Sequence, residues 1–378
     1  MHPDLQRRAR DAKAWLFNHA LPLWWTRGFD AGTMCFHERL ALDGTPLNTV
    51  RRSRVQARQT FVYALAGTLG WPGPWREAAS AGAEVLLARV LRPDGGTASA
   101  LGPEGAVSDP RRDLYDAAFA MLALAHAGAA LQRADLLARA EALWGWIDAT
   151  WRHPAGGFRE GEVVAALPRR QNPHMHLVEA LLALHEATKQ TRYLDAATVL
   201  VNLCENRFID AERGALREYF TDDLRPAPSD EGRITEPGHQ FEWAWLMDRW
   251  ARLAGVETPP LAQRLHAHGE THGVNGDGVA IDETWIEGGV RSANARLWPQ
   301  TERLKANLVR FEKSGDAADA ARAAQAYDAL MLYCDAPITG LWRDTRYPDG
   351  SFKDEAAPAS SFYHIALALS ELIRVARI

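Results

Sequence analysis

Cysteine is scarce in this chain of 378 residues: Cys35, Cys204 and Cys334 are the only three, and they stand far apart. An odd, widely spaced set argues against a disulfide framework and a thiolate metal site. Long apolar runs are missing too. The longest, near residues 117–131, is short for a bilayer span and carries His126. The opening residues, MHPDLQRRARDAKAWLF, contain no apolar centre of the kind a secretory signal needs. Neither sign of charge dominates. A net charge of −5 with interspersed signs offers no footing for nucleic acid or an anionic membrane. No phosphate loop of the GxxxxGK kind is present, and Gly-Asp-Gly at 276–278 reads as a turn. The expectation that remains is a cytoplasmic protein acting on a small molecule, as a monomer or homodimer.

What is present is a repeat. Six stretches hold most of the informative polar residues: RVQARQTF around Arg58, DLYDAAF around Tyr115, NPHMHLVEA around His176, EPGHQFEW around His239, LWPQTERLKA around Glu302 and SSFYHIALAL around His364. The steps between those centres are 57, 61, 63, 63 and 62 residues. A constant interval of this kind implies a closed or stacked array of one supersecondary unit. Each stretch opens a segment with apolar residues at i, i+3, i+4 and i+7, as Leu177, Ala180, Leu181 and Leu184 show, so each begins a helix. A second helical segment follows each one. The pattern predicts about twelve helices, starting near residues 4, 50, 75, 113, 133, 172, 192, 238, 259, 296, 317 and 359. Six such pairs close compactly as an inner ring within an outer ring, an all-α (α/α)6 barrel of six helical hairpins. The period runs from residue 1 to 378 without a linker, which predicts one domain. The even-numbered, motif-bearing helices are the more apolar and belong inside. Their polar starts would all face one end of the barrel.

Loops before these helices read as short β-hairpins: 92–101, 156–160, 214–220, 276–284 and 340–352. They would wall a pocket at the same end. Trp151, Phe158, Tyr219, Trp285, Trp298, Trp342 and Tyr347 gather there. Aromatic faces beside Arg, Glu, Asp and His suit a polyhydroxylated ring, whose C–H faces stack while its hydroxyls need fixed donors and acceptors. A sugar is the expected ligand.

The chemistry points to histidine. His239 and His364 open inner helices 8 and 12, which this reading places roughly opposite one another, with Glu242 three positions beyond His239 on the same face. Two imidazoles with ordinary pKa values near 6.5 suit proton removal and return at neutral pH. Other readings are open at this point. A glycoside hydrolase would use two of Glu236, Glu242, Asp116 and Glu302. A metal site would draw on His174 and His176, or on His266, His268 and His272, sets whose spacing is poor for it. A non-catalytic binding toroid would not need so many ionisable groups at one end.

NPHMHLVEA, EPGHQFEWAWL, WPQTE with Lys305 behind it, and FYH near the end together resemble the N-acylglucosamine 2-epimerase superfamily, along the whole chain. The resemblance implies an (α/α)6 barrel and cofactor-free, metal-free interconversion of free sugars at C1 and C2. It implies that His239 and His364 are the acid/base pair and that Arg58 sits near O1 and O2. His176, Arg233 and Glu242 would support the site, with Tyr115 facing the substrate. Asn172, Trp298 and Glu302 complete the candidate binding set. Relatives commonly place an aromatic four residues before the site arginine; this chain has Arg54, a difference that bears on the substrate rather than the reaction.

The expected reaction is aldose–ketose isomerisation of a mannose-type sugar to a fructose-type ketose through a cis-enediolate, since the FYHI motif and the short chain resemble the mannose isomerase branch. Sugar 2-epimerisation is the alternative. So is action on mannose 6-phosphate, for which Arg51, Arg52, Arg54, Arg169 and Arg170 could supply phosphate contacts.

Overall fold

The protein is described by a computed structural model covering residues 2–163 and 167–378. Its helices are α1 (Pro3–Trp15), α2 (Leu21–Thr26), α3 (Ser53–Thr68), α4 (Trp75–Val85), α5 (Leu114–Leu131), α6 (Ala134–Thr150), α7 (Asn172–Thr188), α8 (Thr191–Leu203), α9 (Pro237–Ala254), α10 (Pro260–Gly273), α11 (Leu297–Ser314), α12 (Ala317–Tyr333) and α13 (Ser360–Ala376). A π-helical stretch, Leu16–Ala20, joins α1 to α2. Counting that run as one helix, the twelve expected starts fall within three residues of the observed ones.

Local chemistry sets the ends. Pro237 and Pro260 begin α9 and α10, where a missing N–H costs nothing. The Asp113 carboxylate accepts from the backbone N–H of Tyr115 and Asp116 and so caps α5. Gly255 and Gly315 stop α9 and α11 at φ of 68° and 65°, a left-handed conformation that favours glycine.

Helices α3, α5, α7, α9, α11 and α13 pack each on the next, and α13 returns onto α3. The ring is therefore closed. Outside it, α4, α6, α8, α10 and α12 each pack on the inner helix before them, and α1 packs on α13. This is an (α/α)6 barrel. Inner helices touch neighbours on nearly every side, which is why α5 reads LYDAAFAMLALAHAGAAL and is buried along most of its length. The small side chains let adjacent axes approach closely.

At one mouth the residues leading into each inner helix pair with the loop leading into the next. Residues 51–52 pair with 100–101, Asp113 with Gly161, 169–170 with 219–220, 234–235 with 283–285, 295–296 with 345–346, and 357–358 with 39–40. The hairpins are thus stitched around the ring as well as closed upon themselves. Side-chain amides anchor three of them: Gln56 bonds both backbone groups of Phe36, Gln240 both of Leu216, and Gln300 both of Ala280. Each is the fourth residue of its inner helix and mimics a strand partner. His174 does similar work on α7, taking the Phe158 N–H at 3.0 Å.

Three of the seven hairpin aromatics turn inward. Trp342 stacks on Trp24 at 4.6 Å, Trp151 meets Trp146, and Phe158 meets Trp144. These three are core residues, because bulky rings gain more from packing on the outer helices than from facing water.

Candidate active site

A polar cavity of about 300 Å³ opens at the stitched mouth. Eight of the ten candidate residues line it: His239, His364, Arg58, Tyr115, His176, Glu242, Asn172 and Trp298. The other two lie elsewhere. Arg233 is exposed, bonded to Asp230 and Glu287 and laid 5.0 Å over Trp285, because it precedes α9 in a surface turn. Glu302 is fully buried beneath the cavity floor and touches His364 instead of the cavity. Among the hairpin aromatics, Trp298 alone lines this cavity; Tyr219, Trp285 and Tyr347 do not.

The histidines are not opposed. Helices α9 and α13 flank α11, so His239 and His364 bracket the Trp298 ring, with centroids 4.8 and 5.9 Å away. Facing α9 across the ring is α3, which carries Arg58. Gly238 makes this arrangement possible, since a Cβ there would stand 2.4 Å from the Trp298 ring.

His239 is held by Glu218 rather than Glu242. Its Nδ1 lies 2.9 Å from Glu218 Oε2 and 4.0 Å from Glu236 Oε2. Burial opposes charge on this ring, but the Glu218 and Glu236 carboxylates outweigh it and push His239 up to about 9. It is an imidazolium at neutral pH. Glu218 itself lies in the 214–220 hairpin, 21 residues away, and no helical spacing could have revealed it.

His364 Nδ1 lies 2.9 Å from Glu302 Oε1. That carboxylate is shared: its other oxygen is 2.6 Å from Lys305 Nζ, which rests 3.9 Å over the Trp245 ring. Burial, then the positive charges of Arg58 and Lys305, drive His364 well below its ordinary value. Neutral at pH 7, with its Nδ1–H spent on Glu302, it keeps the Nε2 lone pair for the cavity.

The floor concentrates more charge. Glu179 accepts from the Tyr363 hydroxyl and from His176 Nδ1 at 3.4 Å, and Glu242 Oε1 is 3.9 Å from the same nitrogen. Burial lowers His176 to about 4, which leaves it neutral. Burial also raises Glu242 and Glu302, with Glu302 adding to the push on Glu242. One lysine cannot balance three buried carboxylates, so part of the cluster keeps its protons.

Arg58 is pinned. Its Nη2 donates to Tyr115 Oη at 2.7 Å and its Nη1 to the Ser360 carbonyl at 3.2 Å, with Phe119 4.1 Å beneath it. The phenol oxygen accepts from Arg58, and its own O–H, with no acceptor among the described residues, can serve a ligand.

Among the described residues, three groups could hold a metal by proximity: His176 with Glu179 and Glu242, Glu218 with Glu236 and His239, and Glu242 with Glu302 and His364. In the last, the Lys305 ammonium already neutralises the carboxylate an ion would need. The other histidine sets are structural: His174 bonds the hairpin backbone and His266 bonds Asn307.

Residues 35–368 match the family model of N-acylglucosamine 2-epimerase (GlcNAc 2-epimerase). The chain belongs to that family. Its curated relatives include a mannose-6-phosphate isomerase of Rhizobium meliloti (strain 1021), 42% identical over 98% of both chains. Similar solved structures are a cellobiose 2-epimerase of Spirochaeta thermophila (TM-score 0.88, 22% identity, 100% of this chain and 98% of that one) and a D-mannose isomerase (TM-score 0.85, 21% identity, 95% and 96%). As a member of the N-acylglucosamine 2-epimerase family, the protein is a sugar isomerase or epimerase. The hydrolase and binding-toroid readings fall with this, and the histidines have the surroundings of acid/base groups.

Proposed function

We propose that the protein interconverts a mannose-type aldohexose and a fructose-type ketohexose through a cis-enediolate. The observation that carries this is a pair of histidines lining one polar cavity on either side of Trp298, each with Nδ1 2.9 Å from a glutamate, in surroundings that favour a neutral His364 and a charged His239. His239 gives a proton to the ring oxygen O5 as the pyranose opens and recovers it from the anomeric O1–H, leaving the open-chain aldehyde. His364 Nε2 then takes the C2 proton. The electron pair moves into a C1–C2 double bond and the negative charge gathers on O1, where Arg58 and the Tyr115 hydroxyl offer fixed donors, the kind of preorganised interaction worth about 3–4 kcal/mol. The proton on His364 Nε2 exchanges with water, and the imidazole then delivers a proton to C1 on the same face while the O2 proton passes to O1, giving the 2-ketose. A single base suffices for this transfer, whereas C2 epimerisation needs a second group to deliver a proton to the other face.

A second reading concerns the sugar's far end. The 42% identical relative is named for mannose 6-phosphate, which favours the phosphorylated form of the same hexose.

The test is incubation of mannose, and separately mannose 6-phosphate, in D2O with EDTA, with products resolved at low conversion. The expected product is ketose carrying deuterium at C1. Glucose-type epimer accumulating ahead of ketose would overturn the isomerase reading in favour of epimerisation.

A further inference from the structure

Beside the catalytic cavity lies a second one of about 380 Å³. The two share Arg52, Tyr115 and Asn172 as walls, so a ligand in one can extend into the other. The second cavity is distinguished by three arginines from three elements: Arg52 from the 51–52 strand, Arg54 from the first turn of α3, and Arg170 from the 169–170 strand. Arg52 and Arg170 hold equivalent places in the repeat. Each stands at the end of the strand that leads into an inner helix, and each donates both its backbone N–H and its Nε–H to one carboxylate, Glu38 or Glu160. This grip fixes the base of each guanidinium. In Arg170 it leaves the terminal nitrogens without a hydrogen-bond partner among the described residues. Arg54 is held in a similar way, its backbone N–H donating to Asp116 Oδ1 at 3.2 Å. Among the described residues its guanidinium makes one hydrogen bond, from Nη1 to Asp116 Oδ1 at 3.2 Å, and it lies 5.4 Å from the Tyr115 ring centre. Asn172 Oδ1, buried on the shared wall, has no partner either.

Four carboxylates, Glu38, Glu160, Asp113 and Asp116, stand around the three guanidiniums. Burial raises Asp113, Asp116 and Glu160, and Asp116 reaches about 7. The arginines keep their charge at any accessible pH. A half-buried recess that converges spare guanidinium N–H donors from three elements is a place for a compact oxyanion with several acceptor oxygens.

We infer that Arg52, Arg54 and Arg170 form a subsite for the terminal phosphate of a hexose phosphate, held so that its C1–C2 end lies between His364 and His239. The identity of the sugar rests on the isomerase reading above; the anion subsite does not. Tyr115 and Asn172 then mark the passage between the two ends, and Arg54 and Arg170, most of whose guanidinium donors are unspent, are the specificity-determining residues.

Binding separates this proposal from the reaction. Mannitol 6-phosphate cannot isomerise, so its affinity, measured calorimetrically against mannitol and against inorganic phosphate, reports the subsite alone. Expected results are binding at least tenfold tighter than either probe, and a loss of at least tenfold in Arg54→Met, with a further loss in Arg170→Met. Turnover supplies the second readout: the ratio of kcat/KM for mannose 6-phosphate to that for mannose should fall at least tenfold in Arg54→Met, through KM. Two results overturn the inference: mannitol 6-phosphate binding no tighter than mannitol or inorganic phosphate, or folded variants of both arginines that bind it like the parent. Should the subsite bind as expected while neither sugar gives ketose, the isomerase reading fails and the anion subsite stands.

Discussion

His239 and His364 each bring Nδ1 to 2.9 Å from a glutamate oxygen, yet their protonation shifts in opposite directions. The difference lies one atom further out. Among the described residues Glu218 is paired with no lysine or arginine and works with Glu236 on His239, whereas His364 is buried beside Arg58 and Lys305, the latter paired with Glu302, so burial and positive charge prevail there. Matching bonds thus favour a charged imidazole on one side of Trp298 and a neutral one on the other, which is how environment can suit one residue type to two roles.

The pH profile should show this. Activity needs His364 neutral and His239 charged, so kcat/KM should hold across neutral pH, fall in acid well below 6.5, and fall in base near pH 9. Glu218→Gln removes the main charge that raises His239 and should move the alkaline limb down by more than one unit. His239 is raised in the folded state, so its contribution to stability is present below about 6.5 and is lost as pH rises through about 9. That loss should be smaller in the variant. An alkaline limb that stays in place would remove His239 as its origin.

Replacing either histidine tests its role directly. His364→Asn and His239→Asn should each lower kcat by about two to four orders of magnitude, the range for losing general acid/base catalysis. His364→Asn should also abolish exchange of the C2 hydrogen with D2O. Exchange at the parent's rate would place the base elsewhere.

Arg58→Lys keeps the charge but loses the planar fork that reaches Tyr115 and Ser360 together. Its kcat should be nearly as low as that of Arg58→Ala, about a hundredfold or more below the parent. A lysine variant retaining most of its activity would reduce position 58 to a general positive field.

Lys305 is the fixed positive charge among Glu179, Glu242 and Glu302, and it is fully buried. Lys305→Met leaves those carboxylates uncompensated and should cost about 3–5 kcal/mol by denaturant unfolding. A loss under about 1 kcal/mol would mean that the carboxylates had already taken up protons, and the electrostatic account of His364 would fail with it.

By itself the sequence determined the barrel and its business end. Helical periodicity and capping are local, so the twelve starts, the sixty-residue step and the gathering of Arg58, Tyr115, His176, His239 and His364 at one mouth could be read from the residues alone. Tertiary structure decided what those side chains meet. The i,i+3 rule correctly pairs His176 with Glu179, but applied to His239 it selects Glu242, whereas the partner is Glu218 from a hairpin. The same rule pairs Lys305 with Glu302 without showing that Glu302 serves His364, 62 residues away, from beneath the cavity. Arg233 turned outward and Trp342 inward, because a turn's direction depends on what packs around it. Protonation lay furthest from the sequence, because it depends on burial and on charges within a few ångströms, and those distances exist only once the ring has closed.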